Sequence, residues 1–212
     1  DNPDEQAFSN DEIKAIIDTA KMFNKPVVAH AYTSELVSNL LDLGISEIEH
    51  AALIDEKTAE KLIKSGVPLM PTFTPFEEII QNDLESLEKK NKPYKQKLKK
   101  FGEKLIKTRK LIIDIIVNHK MLIGYGSDIV AVYNNYDCWR EFKCWRDNGI
   151  SALRTLVAAT SDNAKIIKIP DLGSIEKGKI ADIVAWKSDI INDHNAIEKC
   201  DFVMKEGVIC KF

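Results

Sequence analysis

The sequence predicts an α/β protein built on a parallel sheet, and three observations predict it. Short, continuous apolar runs alternate with stretches of helical periodicity. Most of the helical stretches close on turn-forming Gly, Pro or Asn residues. Three of the four expected strands end in a histidine or an aspartate. Strands that alternate with helices imply parallel pairing through helical crossovers.

Ser9 and Asn10 are N-cap candidates ahead of Asp11 and Glu12, and Ile13, Ile16, Ile17 and Ala20 repeat at helical spacing. Asn24-Lys25-Pro26 stops that helix. Val27-Val28-Ala29-His30 has the pattern of a strand buried on both faces. A second helix is expected over 34–43, ended by Gly44, before the strand Glu47-Ile48-Glu49-His50. A third covers 55–64, and Val67-Pro68-Leu69-Met70-Pro71-Thr72 follows as a strand. A long polar and helical stretch, 75–119, interrupts the rhythm. Met121-Leu122-Ile123-Gly124-Tyr125-Gly126 then reads as a fourth strand ending at Ser127-Asp128, and a last helix spans 151–167.

Four such units are half of a (β/α)8 barrel, whose whole takes about 250 residues. An open doubly wound sheet is the alternative. Chemistry at the carboxyl ends of the strands favours the barrel. Beyond Pro170 the texture changes to turns and short strands, with a hairpin expected around Glu206-Gly207. Residues 1–170 are therefore expected to form the half-barrel. Residues 171–212 would supply strands to a small β-sandwich they are too few to complete.

Composition narrows the partners. With 30% charged residues and a net charge of −3 over 212 residues, there is no electrostatic reason to expect nucleic acid or an anionic membrane. The lysines between Lys89 and Lys100 are interleaved with glutamates from Glu77 to Glu88, the pattern of a solvated helix face. No apolar run approaches the roughly 20 residues that span a bilayer. The chain opens at Asp1-Asn2-Pro3, as if in the middle of a gene product. Cys138, Cys144, Cys200 and Cys210 form no CxxC pair, which favours reduced thiols and a cytoplasmic location.

His30, His50 and Asp128 carry the chemistry. A divalent metal takes neutral imidazoles and a carboxylate that converge on one point, and neighbouring strand ends supply such convergence. Singly, each has a plain structural reading: a satisfied histidine, or an aspartate in a turn or N-cap. Together on one rim they read as a metal site. His119 and His194 read as solvent-exposed. Phe73, Phe76 and Tyr94 read either as a substrate wall or as a small helical core, and Tyr133, Tyr136, Trp139 and Trp145 mainly as packing residues.

These motifs resemble the amidohydrolase superfamily, in its imidazolonepropionase-like and Xaa-Pro dipeptidase (prolidase) branch. Pro26–His30 is similar to the fifth barrel strand of these enzymes, Gly44–His50 to the sixth, and Ile123–Asp128 to the eighth. The stretch Ala158-Ala159-Thr160-Ser161-Asp162-Asn163-Ala164 and then Gly173-Ser174-Ile175-Glu176-Lys177-Gly178-Lys179-Ile180-Ala181-Asp182 resembles the superfamily's distal signature. The resemblance implies the C-terminal half of a TIM-like barrel, strands 5–8, with part of a β-sandwich. It implies one or two divalent ions, zinc by default, bound by His30, His50 and Asp128, with Asp128 also shuttling a proton. The implied reaction is hydrolysis of an amide-type C–N bond in a dipeptide or other small molecule.

The departures are specific. The first-strand His-x-His pair, the fourth-strand lysine and the first four strands are absent. Tyr32 stands where relatives often carry a second histidine, and Ala51 where glycine is common. The chain alone is therefore expected to be inactive and to need an N-terminal half. Its open edges would be covered by a longer polypeptide or by a second chain, as in a homo-oligomer. The alternatives are a cyclic amidohydrolase or deaminase, and a non-catalytic half-barrel acting as a binding or scaffold protein.

Overall fold

The computed structural model describes residues 6–77, 92–128 and 137–211, the side chains of 92–99 excepted. The 78–91 part of the charged run, and Tyr133 and Tyr136, lie outside the described residues, as does the side chain of Tyr94. The chain forms two compact units, residues 1–71 with 78–123, and residues 72–77 with 124–212.

In the first unit, α1 (Asn10–Met22) starts at a capping box. The Ser9 hydroxyl accepts from Glu12 N–H and the Glu12 carboxylate accepts from Ser9 N–H at 2.8 Å. Strand β1 (Val28–Thr33), α2 (Ser34–Leu43), β2 (Glu47–Leu53), α3 (Glu56–Ser65), β3 (Leu69–Met70) and α4 (Lys92–Asn118) follow. The sheet is parallel in the order β1-β2-β3. Thr33 and Asp55 cap α2 and α3 with their side chains, so each strand passes directly into its helix. Ile48, Leu62, Leu69, Ile112, Ile115 and Ile123 are buried and form the apolar centre between strands and helices. Among the described residues, no helix is long and apolar enough to cross a membrane.

Three expectations change here. Strand β1 is not buried on both faces: Val28 is 44% exposed, because β2 is its sole neighbour in the described sheet. The third strand shrinks to two residues between Pro68 and Pro71, neither of which can donate to a ladder. The fourth is reduced to a single parallel bridge from Ile123 to Leu69.

In the second unit, residues 74–77 form one helical turn. Helix α5 (Trp139–Asp147) follows, and then a continuous helical segment. That segment is α6 (Ala152–Val157), a π-helical turn (Ala158–Asp162) and α7 (Asn163–Ile166), where a single regular helix was expected. Strands β4 (Ile183–Ala185), β5 (Phe202–Lys205) and β6 (Val208–Lys211) make an antiparallel sheet. The hairpin turns at Glu206-Gly207 as expected. Both residues have positive φ, 51° and 81°, the backbone of a type I′ turn.

The core of this unit is built on a buried carboxylate. Glu141 in α5 is completely buried and accepts from Phe73 N–H at 2.9 Å, Thr74 N–H at 2.8 Å, the Thr74 hydroxyl, and Trp145 Nε1–H at 2.7 Å. Burial pushes its carboxyl up to about 7, while these hydrogen bonds pull the other way. Phe73 packs against Trp145 with ring centres 6.0 Å apart, so Phe73 and Trp145 are core residues here.

Candidate metal centre

His30 and His50 come together at the sheet. The register pairs Ala31 with His50 and His30 with Glu49. The His30 Nδ1 lies 2.6 Å from His50 Nε2 and 3.1 Å from a Glu49 carboxylate oxygen. The His50 ring also stacks on His30 and on Tyr32, with centres 4.9 Å apart in each case. His30 is exposed, Glu49 half-buried and His50 buried.

Successive residues of a strand normally point to opposite faces. Glu49 and His50 nonetheless both reach the same His30 nitrogen. The backbone explains it: His50 has φ 73° and Ala51 φ 50°, both in the left-handed region, so β2 breaks its alternation at the histidine. A β-bulge between Ala31 and Thr33 accommodates the same irregularity on β1. Left-handed backbone at a non-glycine residue costs about 1–3 kcal/mol and collects at functional sites. Neither histidine ends its strand, because the ladder resumes beyond the bulge with Thr33 opposite Leu53.

The donor set fits a divalent cation. Two imidazoles and one carboxylate each offer an atom, and these atoms all lie within 4.8 Å of one another. Below Glu49 on the same face, Glu47 is buried. Burial and the neighbouring Glu49 charge raise its carboxyl above the usual range. A cleft lined by Thr33, Ser34, Leu53, Asp55, Lys107 and Thr108 opens where β1 and β2 end.

Asp128 belongs to the second unit. It is exposed, outside regular structure and left-handed at φ 47°. Its segment is tied at Tyr125, whose N–H donates to Asn163 Oδ1 and whose carbonyl accepts from Asn163 Nδ2, each at 2.9 Å. His119 and His194 are not simply solvent-exposed. Each is half-buried and faces an aspartate, Asp114 at 3.3 Å and Asp147 at 3.1 Å, which draws the ring onto the surface. Sequence reasoning missed Glu49, since strand alternation places it opposite His50. It also missed Glu141 and Asn163, which no spacing rule singles out.

A parallel sheet whose strands bring two histidines and a carboxylate together offers a donor set for a divalent cation. The chain belongs to the amidohydrolase family, whose model matches residues 1–210. It is similar to a crystallised Xaa-Pro dipeptidase with methionine bound in its active site, at 28% identity and TM-score 0.80, covering 97% of this chain and 49% of that one. A prolidase crystallised with N-methylphosphonate-L-proline matches at 26% identity and TM-score 0.82, over 100% of this chain and 51% of the other. The ochratoxinase of Aspergillus niger is 25% identical over 195 residues, 91% of this chain and 39% of that protein. The chain thus spans about half or less of the relatives it matches.

Proposed function

We propose that this chain is the C-terminal half of a metal-dependent hydrolase that cleaves an amide-type C–N bond, with a dipeptide of the Xaa-Pro kind as the leading substrate class. The observation that carries this reading is the convergence of His30, Glu49 and His50 at the irregular step in the β1–β2 ladder. The identity of 26–28% to the two dipeptide-cleaving structures supports the substrate class. In this reading residues 1–170 supply strands 5–8 of a barrel and residues 171–212 supply strands to a composite β-sandwich.

His30 and His50 would hold the ion, zinc by donor type, with a carboxylate from Glu49 or Asp128. A divalent ion bound there brings the pKa of its water to about neutrality. Glu49 beside His30 Nδ1 can alternatively accept its proton and fix the ring, the usual service of a carboxylate to a ligating histidine. Asp128, by its Gly-Ser-Asp motif, takes a proton from the attacking water and returns it to the leaving nitrogen. The catalytic activity belongs to a polypeptide about twice this length or to an assembly that supplies the other half. Four free thiols favour a cytoplasmic setting.

The test is hydrolysis of Xaa-Pro dipeptides by the longer protein, with metal content measured in parallel. Zinc-dependent release of proline that disappears in His30→Ala and His50→Ala supports the reading. Turnover that survives both substitutions overturns it. The 25% identity to ochratoxinase favours ochratoxin as a second substrate, which the same assay distinguishes by exchanging the substrate.

A further inference from the structure

We infer that Asn163 is a positioning residue for Asp128: its amide clamps both backbone groups of Tyr125 and so fixes the segment 124–128. The inference rests on the proton-transfer role proposed for Asp128.

Residues 124–128 lie outside regular structure. Their backbone groups have no ladder to join and need other partners. Tyr125 finds both in one side chain. Its N–H donates to Asn163 Oδ1 and its carbonyl accepts from Asn163 Nδ2, at 2.9 Å each. A carboxamide, with donor and acceptor side by side on two atoms, reproduces what a neighbouring strand would offer; a charged side chain lacks one of the two roles, and a hydroxyl has both on a single atom. The ring of Tyr125 is anchored too, edge-on to Trp145 at 5.4 Å. Backbone and ring are thus both fixed three residues before Asp128. That matters because Asp128 is held in left-handed backbone, which persists only where its surroundings enforce it.

The geometry that delivers the amide comes from the two distal motifs. Asn163 is the first residue after the π turn Ala158–Asp162. Turns of this kind are rare and recur at functional sites. Gly173 lies directly against this turn. A Cβ there would fall 2.7 Å from Ala164 Cβ, 2.8 Å from the Thr160 carbonyl oxygen and 2.9 Å from Ser161 Cα. The Gly-x-Ile stretch and the helix motif therefore lock together, and what they present is the Asn163 amide.

Three variants test this: Asn163→Ala, Asn163→Asp, and the control Ile166→Ala, which empties a core position of the same helix and leaves the Asn163 amide in place. Amide exchange over 124–128 is read on the 212-residue chain, and kcat and KM on the longer protein. Loss of two hydrogen bonds in Asn163→Ala should speed exchange at Tyr125 by about 10–100-fold. It should lower kcat at least about tenfold with KM nearly unchanged, the mark of a misplaced reacting group. Asn163→Asp sets an oxygen against the Tyr125 carbonyl. It still accepts from Tyr125 N–H but repels the carbonyl, so kcat should fall as in Asn163→Ala at neutral pH and return toward the parent, compared at the same pH, as protonation restores a donor. Ile166→Ala should lower stability without the local exchange. Unchanged exchange in Asn163→Ala, equal acceleration in Ile166→Ala, or a rise in KM at constant kcat overturns the inference. A longer protein that hydrolyses no amide overturns the role of Asp128, and exchange still decides whether Asn163 holds the segment.

Discussion

Trp145 donates its indole N–H to the carboxylate of Glu141 at 2.7 Å, one helical turn apart on α5, and the same carboxylate holds Phe73 and Thr74 by their backbone. Glu141 thereby joins two segments more than 60 residues apart in sequence. Removing it leaves four donors in a dry core. Glu141→Ala is expected to cost about 3 kcal/mol or more, seen as a lower urea midpoint. A loss below about 1 kcal/mol would show that water replaces the carboxylate.

The same group sets a pH dependence. Its ordinary value of 4.5 is raised to about 7 by burial, so the native state retains a proton that the unfolded chain has released. Its contribution is full below pH 4.5 and is lost as pH rises through about 7, a change on the order of 3 kcal/mol. The difference in stability between the parent and Glu141→Gln, followed from pH 4 to 8, should shrink across that window. A flat difference would mean the carboxylate is ionised throughout.

Gly173 has φ 85° and no room for a methyl group against Ala164, Thr160 and Ser161. Gly173→Ala combines backbone strain with overlap against main-chain atoms. It should lose about 2 kcal/mol or more, measured by thermal unfolding.

At the φ-positive hairpin turn the opposite is expected. Glu206 is exposed at the first central position of a type I′ turn, where asparagine is favoured before glycine. Glu206→Asn should raise stability by about 0.5 kcal/mol, since its backbone contact to Asp182 does not depend on the side chain. A fall in the melting temperature would contradict the turn assignment.

Zinc titration tests the histidine pair without any substrate. Zinc at about 100 times its Kd should stabilise the chain by about 2.7 kcal/mol. His30→Ala and His50→Ala should each abolish that rise. Equal stabilisation of both variants would place the binding elsewhere.

Much of this was legible in the residues. The start of α1 followed from Ser9, the end of α2 from Gly44, and the hairpin from Glu206-Gly207, because caps and tight turns are local chemistry. The pairing of His30 with His50 was legible because both close apolar runs of the same repeat. What escaped were effects of long-range packing. Val28 looked like a core residue, since composition does not say whether a strand has one neighbour or two. Glu49 joined the histidines only because His50 leaves the extended region, and no sequence period encodes that departure. Glu141 looked like any surface glutamate until Phe73 and Thr74 folded over it.

The widened turn at Ala158–Asp162 bears on how this chain tolerates changes in length. Such a turn is an α-helix carrying one surplus residue. A residue deleted there can be absorbed as the turn tightens to an α turn, whereas one deleted from the regular helix at Ala152–Val157 would rotate everything beyond it by roughly 100°. Asn163 would swing off Tyr125, and Ala164 would leave its place under Gly173. The phase of the helix, and not merely its composition, is therefore inherited information: the segment can be rewritten residue by residue far more safely than it can be shortened outside that turn.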